Sequence, residues 1–226
     1  MTPLLLIPGM MCDARMWGGF TAACPIHHAL PTEHDTVQSL AAAILQTAPP
    51  RFALAGLSMG GIVAMEILAQ APDRVERLAL LDTNPRAETP DAQAARLPQI
   101  AMALAGNLAA VLRDEMKPNY LAPGPGQKPI LDLCMAMALT LGPQVFARQS
   151  SALKNRPDQT ATLAAFKGPA LVLMGEQDRL CPRDRHDQMQ ALMPQSRLAI
   201  VPDAAHLPTL ENSKATAAHL QNWLST

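Results

Sequence analysis

The sequence predicts an α/β fold built on a mostly parallel sheet. Short apolar runs that do not alternate with polar residues recur along the chain, as expected of strands that are buried on both faces. In the first third of the chain the order is strand, helix, strand, helix, strand. This alternation is typical of parallel strands joined by right-handed helical crossovers.

Five apolar or mostly apolar stretches are predicted to be strands, and most of them end at proline, glycine or aspartate. The runs cover residues 4–7, 52–55, 75–81, 170–174 and 197–201. Pro8-Gly9 ends the first run, and the second continues directly into the sequence GLSMGG. All five are short enough to be strands of a globular domain.

The first helix is predicted over Val37–Ala48, because its apolar residues recur at spacings of three and four and so share one face. Asp35-Thr36 provides a helix N-cap, and Pro49-Pro50 stops the helix. Further helical patterns cover 62–68, 182–193 and 208–223.

Residues 86–158 lack strand patterns and contain several helical stretches. Glycine or proline marks each break between these stretches: Gly106-Asn107, Pro123–Gly126 and Gly142-Pro143. Because a strand pattern resumes afterwards, we expect residues 86–158 to form a helical insertion, a lid, in one domain whose core is 1–85 and 159–226.

The insertion also contains candidate substrate contacts. Its methionines either belong to the core or form a deformable apolar wall for an acyl chain: Met102, Met116, Met135 and Met137. Arg148 and Gln149 either reach a polar substrate group or are solvated helix residues.

The composition excludes several classes of protein. With 18 basic and 19 acidic residues among 226, the formal charge is −1, which does not favour nucleic-acid binding. The 4 cysteines are far apart, so we expect reduced thiols rather than a metal or redox motif. No long uninterrupted apolar run suggests a membrane span, and the N-terminal run is too short for a signal peptide. We therefore expect a cytoplasmic protein, a monomer or homodimer, without metal or cofactor.

Ser58 lies in the sequence GLSMGG, between a predicted strand and a predicted helix. In this context a G-x-S-x-G pattern places a nucleophile on a sharp turn. The turn strains the serine backbone, and a Cβ atom at Gly56 or Gly60 would clash with neighbouring backbone. We therefore expect Ser58 to be a nucleophile, exposed at the carboxyl edge of the sheet.

A serine nucleophile needs a base, and the base needs a carboxylate to orient it. Asp178 follows the strand 170–174, and His206 follows the last strand, which places both at the same edge of the sheet as Ser58. Asp82 also ends a strand and is the alternative to Asp178 as the acid. We prefer Asp178 because of the turn Gly175-x-x-Asp178.

These motifs resemble those of the α/β-hydrolase superfamily, in particular its small, lid-bearing carboxylesterases, including the group that hydrolyses methyl esters in biotin synthesis. The resemblance covers nearly the whole chain and rests on GLSMGG, MGEQDRLCP, VPDAAHLPTLE and LLLIPGMMCDARMW. It implies that Ser58 is the nucleophile, His206 the general base and acid, and Asp178 the orienting carboxylate.

The resemblance also implies an oxyanion hole formed by the backbone amides of Met10 and Met59.

Two features depart from the family pattern. Pro8 stands where the family usually has a histidine before the glycine, and the chain begins at the first parallel strand. The sheet should therefore be shortened to about six strands, without the two antiparallel strands that usually come first.

The expected reaction is hydrolysis of a small-molecule carboxylic ester of small or medium acyl length. Lactonase, thioesterase and carbon–carbon bond hydrolase activities use the same three residues and stay open. A ligand-binding protein with negligible turnover is the alternative from a different class. Dehalogenases and epoxide hydrolases of the superfamily are disfavoured, because they have aspartate where this chain has Ser58.

Overall fold

The computed structural model describes residues 1–116, 119–124 and 126–225. Its centre is a six-stranded, fully parallel sheet in the order β2-β1-β3-β4-β5-β6. The strands are β1 Leu4–Ile7, β2 Ile26–His28, β3 Phe52–Leu57, β4 Val75–Leu81, β5 Ala170–Gly175 and β6 Arg197–Val201. The predicted α/β class and the number of strands are confirmed.

The inner strands of the sheet are buried on both faces. Leu5, Ile7 and Leu54 pack into one apolar cluster, whereas Leu4 and Leu6 pack into a second cluster on the opposite face. Successive side chains of a strand point to opposite faces. The unalternating apolar runs of the sequence are explained by this burial on both sides.

Strand β2 at the edge of the sheet was not located from the sequence. It has only three residues, and both histidines, His27 and His28, are exposed. Its pairing with β1 comes from main-chain hydrogen bonds, for which the side chains give no signal. His27 and His28 are therefore surface residues.

Nine α-helices accompany the sheet within the described residues. They are α1 Val37–Thr47, α2 Met59–Gln70, α3 Pro90–Met102, α4 Leu108–Ala110, α5 Gln127–Lys154, α6 Thr160–Ala165, α7 Arg183–Leu192, α8 Pro208–Glu211 and α9 Ser213–Ser225. Thr36 caps α1 as predicted, since its side chain accepts a hydrogen bond from the Ser39 amide.

One predicted helix is wrong in its extent. The stretch 208–223 is not continuous but forms α8 and α9, because Asn212 leaves the helical conformation with φ −136° and ψ 66°. The Asn212 side-chain oxygen then accepts a hydrogen bond from Ala215 N, as a helix N-cap does.

Between β4 and β5 the described residues form helices joined by loops and turns, without a strand. Two π-helical stretches, Ala103–Asn107 and Val111–Met116, flank α4. The predicted breaks at Gly106 and Gly142 are present, with positive φ angles of 94° and 82°. The break predicted at 123–126 falls before α5, and its residue 125 lies outside the described residues.

By length and composition alone, two helical stretches, Pro90–Met116 and Gln127–Lys154, are apolar enough to cross a membrane. The expectation from the sequence concerned uninterrupted apolar runs, whereas these stretches also contain scattered polar residues. Gly106 and Gly142 interrupt the helical backbone of each stretch, so neither forms one continuous straight helix.

Candidate active site

Ser58 occupies a strained turn between β3 and α2. Its φ of 54° and ψ of −118° are unusual for a residue with a side chain. A Cβ atom on Gly56 would lie 2.2 Å from Gly60 O, and one on Gly60 would lie 2.0 Å from Ile7 O. Both positions therefore require glycine. The turn is held by a hydrogen bond from Ser58 N to Leu81 O at 2.9 Å.

His206 and Asp178 meet Ser58 at the carboxyl edge of the sheet. His206 Nε2 lies 2.9 Å from Ser58 Oγ, and His206 Nδ1 lies 2.9 Å from Asp178 Oδ2. His206 and Asp178 are only 3% and 6% exposed. The three residues predicted from strand order thus form one continuous chain of hydrogen bonds, with Asp178 rather than Asp82 against the ring.

Asp178 is held as a carboxylate. Burial raises the pKa of its carboxyl group, but the His206 ring and the amides of Leu180 and Cys181 outweigh burial, and the net pKa is lowered. The Leu180 and Cys181 amides donate to Oδ1 at 2.8 and 3.2 Å, which leaves Oδ2 for the histidine. An ionised carboxylate in this position fixes the tautomer and orientation of the imidazole.

The loop that carries His206 is fixed on both sides of the ring. Glu211 Oε1 accepts hydrogen bonds from the amides of Ala205 and Leu207 at 3.0 and 2.9 Å, and its Oε2 accepts one from Ala122 N at 2.7 Å. Tyr120 packs edge-to-face on the His206 ring, with the centroids 5.6 Å apart. These contacts limit movement of the ring away from Ser58.

Asp82 is a buried neighbour of the Ser58–His206–Asp178 group. Its side chain is completely buried, and its Oδ1 accepts a hydrogen bond from Gly175 N at 2.8 Å. Burial and the nearby charge of Asp178 raise the pKa of the Asp82 carboxyl well above its ordinary value. Its Oδ2 has no hydrogen-bond donor among the described residues, a situation that favours the protonated form.

Because the Asp82 carboxyl is buried, the stability of the folded protein is expected to depend on pH. Since the pKa is raised in the folded state, the contribution of Asp82 to stability is present below its unfolded pKa of about 4 and is lost as pH rises. We expect the melting temperature of Asp82→Asn, relative to wild type, to increase by roughly 3–6 °C between pH 4.5 and 8.

The matched control is Asp203→Asn. Asp203 also has a positive φ, 55°, but is exposed at the surface. Thermal melts of both variants across this pH range measure the effect. A pH-independent difference between Asp82→Asn and wild type would show that Asp82 is ionised in the folded protein.

The backbone amides of Met10, which follows β1, and Met59, which begins α2, are the candidates for an oxyanion hole. Both residues line the cavity that contains Ser58, and neither amide donates to an acceptor within 1–116, 119–124 or 126–225. Met59 is the first residue of α2, so its N–H has no partner within the helix. Two unpaired amides beside a serine hydroxyl can donate hydrogen bonds to an oxyanion.

The interpretation of Gln149 as a substrate contact or solvated residue is wrong. Gln149 is fully buried; its Oε1 accepts from Met11 N at 2.8 Å and its Nε2 donates to Pro31 O at 2.9 Å. It therefore braces the backbone next to Met10, where Met11 has a positive φ of 55°. Arg148 likewise donates to a main-chain oxygen, Thr32 O, at 2.7 Å.

The cavity over Ser58 has a volume of about 350 Å³. Among the four methionines considered as an acyl wall, Met116 lines this cavity; Met137 lies in the core and Met102 is exposed. The cavity wall also contains four charged residues that the sequence did not indicate: Glu88, Arg96, Glu115 and Arg156. Their sequence separation gave no signal that they meet.

One group of side chains near the site could in principle hold a metal ion: Asp178, Cys181 and His206. However, His206 directs one ring nitrogen to Asp178 and the other to Ser58. Burial and the nearby aspartates also raise the pKa of the Cys181 thiol well above its usual range, which disfavours the thiolate that a metal requires. Both ring nitrogens of His206 therefore already have partners, and neither is free to bind a metal ion.

Comparisons with known proteins agree with this architecture. The sequence matches the alpha/beta hydrolase family over residues 4–219. It is 26% identical to a pimeloyl-[acyl-carrier protein] methyl ester esterase of Aromatoleum aromaticum, covering 97% of this chain and 96% of the relative. A protein of the same name from Nitrosomonas europaea is 27% identical, covering 78% of this chain and 72% of the relative.

Solved structures give the same result. A thermophilic esterase from Thermogutta terrifontis aligns with a TM-score of 0.85 at 26% identity, covering 100% of this chain and 90% of that one. The enol-lactonase from Burkholderia xenovorans aligns with a TM-score of 0.87 over 100% of this chain and 92% of that one, but at 20% identity it supports the fold alone. With its six parallel strands, its strained serine turn and a family match that spans nearly its full length, the chain belongs to the alpha/beta hydrolase family.

Proposed function

We propose that the protein is a serine hydrolase that cleaves a carboxylic ester of small or medium acyl length through an acyl-enzyme intermediate. The observation that carries the proposal is the chain of 2.9 Å hydrogen bonds from Asp178 through His206 to Ser58 Oγ. The names of the relatives at 26–27% identity support ester hydrolysis as the reaction class.

In the first half of the reaction, His206 Nε2 takes the proton of Ser58 as Oγ attacks the ester carbonyl. The amides of Met10 and Met59 donate to the developing oxyanion, and their fixed backbone requires little reorganisation. His206 then gives its proton to the departing alcohol.

In the second half, a water molecule replaces the alcohol. His206 takes a proton from this water, which attacks the acyl-enzyme, and the acid leaves as Ser58 regains its proton. Asp178 remains ionised throughout and stabilises the imidazolium. None of these steps calls for a metal or cofactor.

The helices between β4 and β5 are proposed to be the lid of this site, with boundaries near 86 and 158. Residues from both ends of this stretch, including Arg96, Met116 and Arg156, line the cavity over Ser58. The lid would exclude water and select the acyl group. A cytoplasmic location, a small-molecule ester as partner, and a monomeric or homodimeric state remain predictions.

Hydrolysis of p-nitrophenyl esters from acetate to decanoate tests this function. A cavity of about 350 Å³ is at the small end of ligand sites, so we expect kcat/KM to peak at a short or medium chain and fall for decanoate. The Ser58→Ala protein serves as the control for each ester.

Absence of turnover by the wild type on every ester would contradict the esterase proposal. Lactones, thioesters and carbon–carbon substrates would be assayed next with the same pair of proteins. Equal turnover by wild type and Ser58→Ala would instead show that the observed hydrolysis does not use this site.

A further inference from the structure

The cavity over Ser58 contains two arginines that share one carboxylate. Arg96 on α3 donates from Nε and Nη2 to Glu88 at 2.5 and 2.8 Å, and Arg156 donates from Nη1 to Glu88 Oε1 at 2.9 Å. The side chains of Glu88, Arg96 and Arg156 are only 6%, 17% and 10% exposed. All three line the same cavity as Ser58 and His206.

This cluster carries one positive charge more than its carboxylate neutralises. Burial lowers the pKa of Arg156; Glu88 opposes this effect and the neighbouring Arg96 charge adds to it. A buried charge without a full counter-charge is unfavourable, because desolvation is not compensated. The other acidic residue of the cavity wall, Glu115, is exposed and accepts a hydrogen bond from Gln99 at 2.9 Å.

A purely structural role, in which the cluster only holds two chain segments together (a tether), explains this cluster less well. Glu88 and Arg156 alone would join the segment before α3 to the segment after α5, since Arg156 Nε also donates to Arg86 O at 2.9 Å. Adding Arg96 places a second guanidinium in the cavity and creates the excess charge. Arginine presents five N–H donors in a planar fork that matches a carboxylate, and the bonds to Glu88 use only two of those on Arg96.

We propose that Arg96 and Arg156 bind a second, free carboxylate of the ester substrate, so that the preferred substrates are monoanionic. This inference rests on the proposed esterase function and names its substrate class. A monoanion matches the single excess charge of the cluster, whereas a phosphate monoester would add nearly two negative charges. The carboxylate would lie on the acyl side in monoesters of dicarboxylic acids, or on the alcohol side in acyl esters of glycolate.

The first test compares charged and neutral esters of equal length. Monomethyl adipate and methyl hexanoate differ in the free carboxylate. The monomethyl esters of succinate, glutarate, pimelate and suberate vary the distance between the ester group and that carboxylate, and so identify the best spacing. We expect kcat/KM of the wild type to be about tenfold or more higher for the best anionic ester than for the neutral ester of equal length. Charge-assisted hydrogen bonds contribute free energies of this size. O-Hexanoyl glycolate against ethyl hexanoate shows whether the alcohol side is used instead.

Two substitutions, one that removes a positive charge and one that removes a negative charge, distinguish recognition of a substrate carboxylate from a purely structural role of the cluster. Arg96→Gln should lower the preference for the anionic ester about tenfold or more, and Glu88→Gln should raise it, because the carboxylate that competes for both guanidiniums is removed. A tether would instead make both substitutions reduce turnover of both esters alike. Arg113→Gln, an exposed arginine of the same helical region paired with Asp114, is the matched control.

Binding without turnover separates this inference from the esterase function. Calorimetry of monomethyl adipate with Ser58→Ala should show binding that Arg96→Gln in the same background weakens about tenfold or more. Serine-dependent hydrolysis of neutral esters without any anionic preference or Arg96-dependent binding would overturn the inference and leave the esterase function intact. Arg96-dependent binding without hydrolysis of any ester would support the anion site and contradict the esterase function.

Discussion

Ser58→Ala is expected to lower kcat for the best p-nitrophenyl ester by about 10⁴–10⁶-fold while changing KM by less than about threefold. The substitution removes the atom that would form the proposed acyl-enzyme, but leaves the cavity and the amides of Met10 and Met59 in place. Residual hydrolysis would come from oxyanion stabilisation and substrate binding alone. Steady-state kinetics with each purified variant measures the effect.

His206→Ala should produce a loss of similar size, and the double variant should be little worse than either single variant. In the proposed mechanism the three residues act as a unit, since His206 contacts both Ser58 and Asp178 at 2.9 Å. Additive losses in the double variant would argue against a shared mechanism. Circular dichroism and melting temperature check that each variant is folded.

Ser39→Ala is the matched control for Ser58→Ala. Ser39 is an exposed serine of α1, at the surface rather than in the cavity. Its loss should leave both kcat and KM unchanged. A comparable loss in both variants would indicate a preparation effect rather than catalysis by Ser58.

The sequence predicted those parts of the fold whose signal is local. The runs that became β1, β4 and β6 were bounded correctly, because most of their residues are apolar and a turn residue follows each run. The short helix α6 and the edge strand β2 were missed. Both are brief, and three to six residues give no reliable periodicity.

The candidate triad was predictable because each member follows a strand. Parallel strands deliver the residues that follow them to one edge of the sheet, so chain order alone brought Ser58, Asp178 and His206 together. The choice between Asp82 and Asp178 was less secure in the sequence, since both end strands. The structure distinguishes them: Asp178 contacts His206, whereas Asp82 is buried against Gly175 N.

Contacts between distant segments could not be predicted. Gln149 reaches Met11 across 138 positions, and Arg156 reaches Glu88 across 68. A glutamine or arginine on a helix has the same local pattern whether it is solvated or buried against another segment. The roles of these residues are recognised only from their burial and their contact distances in the structure.

Gly60→Ala is expected to destabilise the protein by at least about 3 kcal/mol, which corresponds to a fall in melting temperature of roughly 6–12 °C in a domain of this size. The added Cβ would lie 2.0 Å from Ile7 O and 2.7 Å from Pro8 O, both of which are backbone atoms. No side-chain rotation can relieve this contact, so α2 and the end of β1 must move apart. Thermal melts and denaturant titrations measure the loss.

Gly124→Ala is the control, because a Cβ there meets open space and the residue does not need a positive φ. A melting temperature of Gly60→Ala within about 2 °C of wild type would show that the turn is less tightly packed than described. Any Gly60→Ala protein that folds should also lose kcat, since separating β1 from α2 separates the Met10 amide from the Met59 amide. Close packing at Gly60 therefore contributes both to stability and to the geometry on which the proposed oxyanion hole depends.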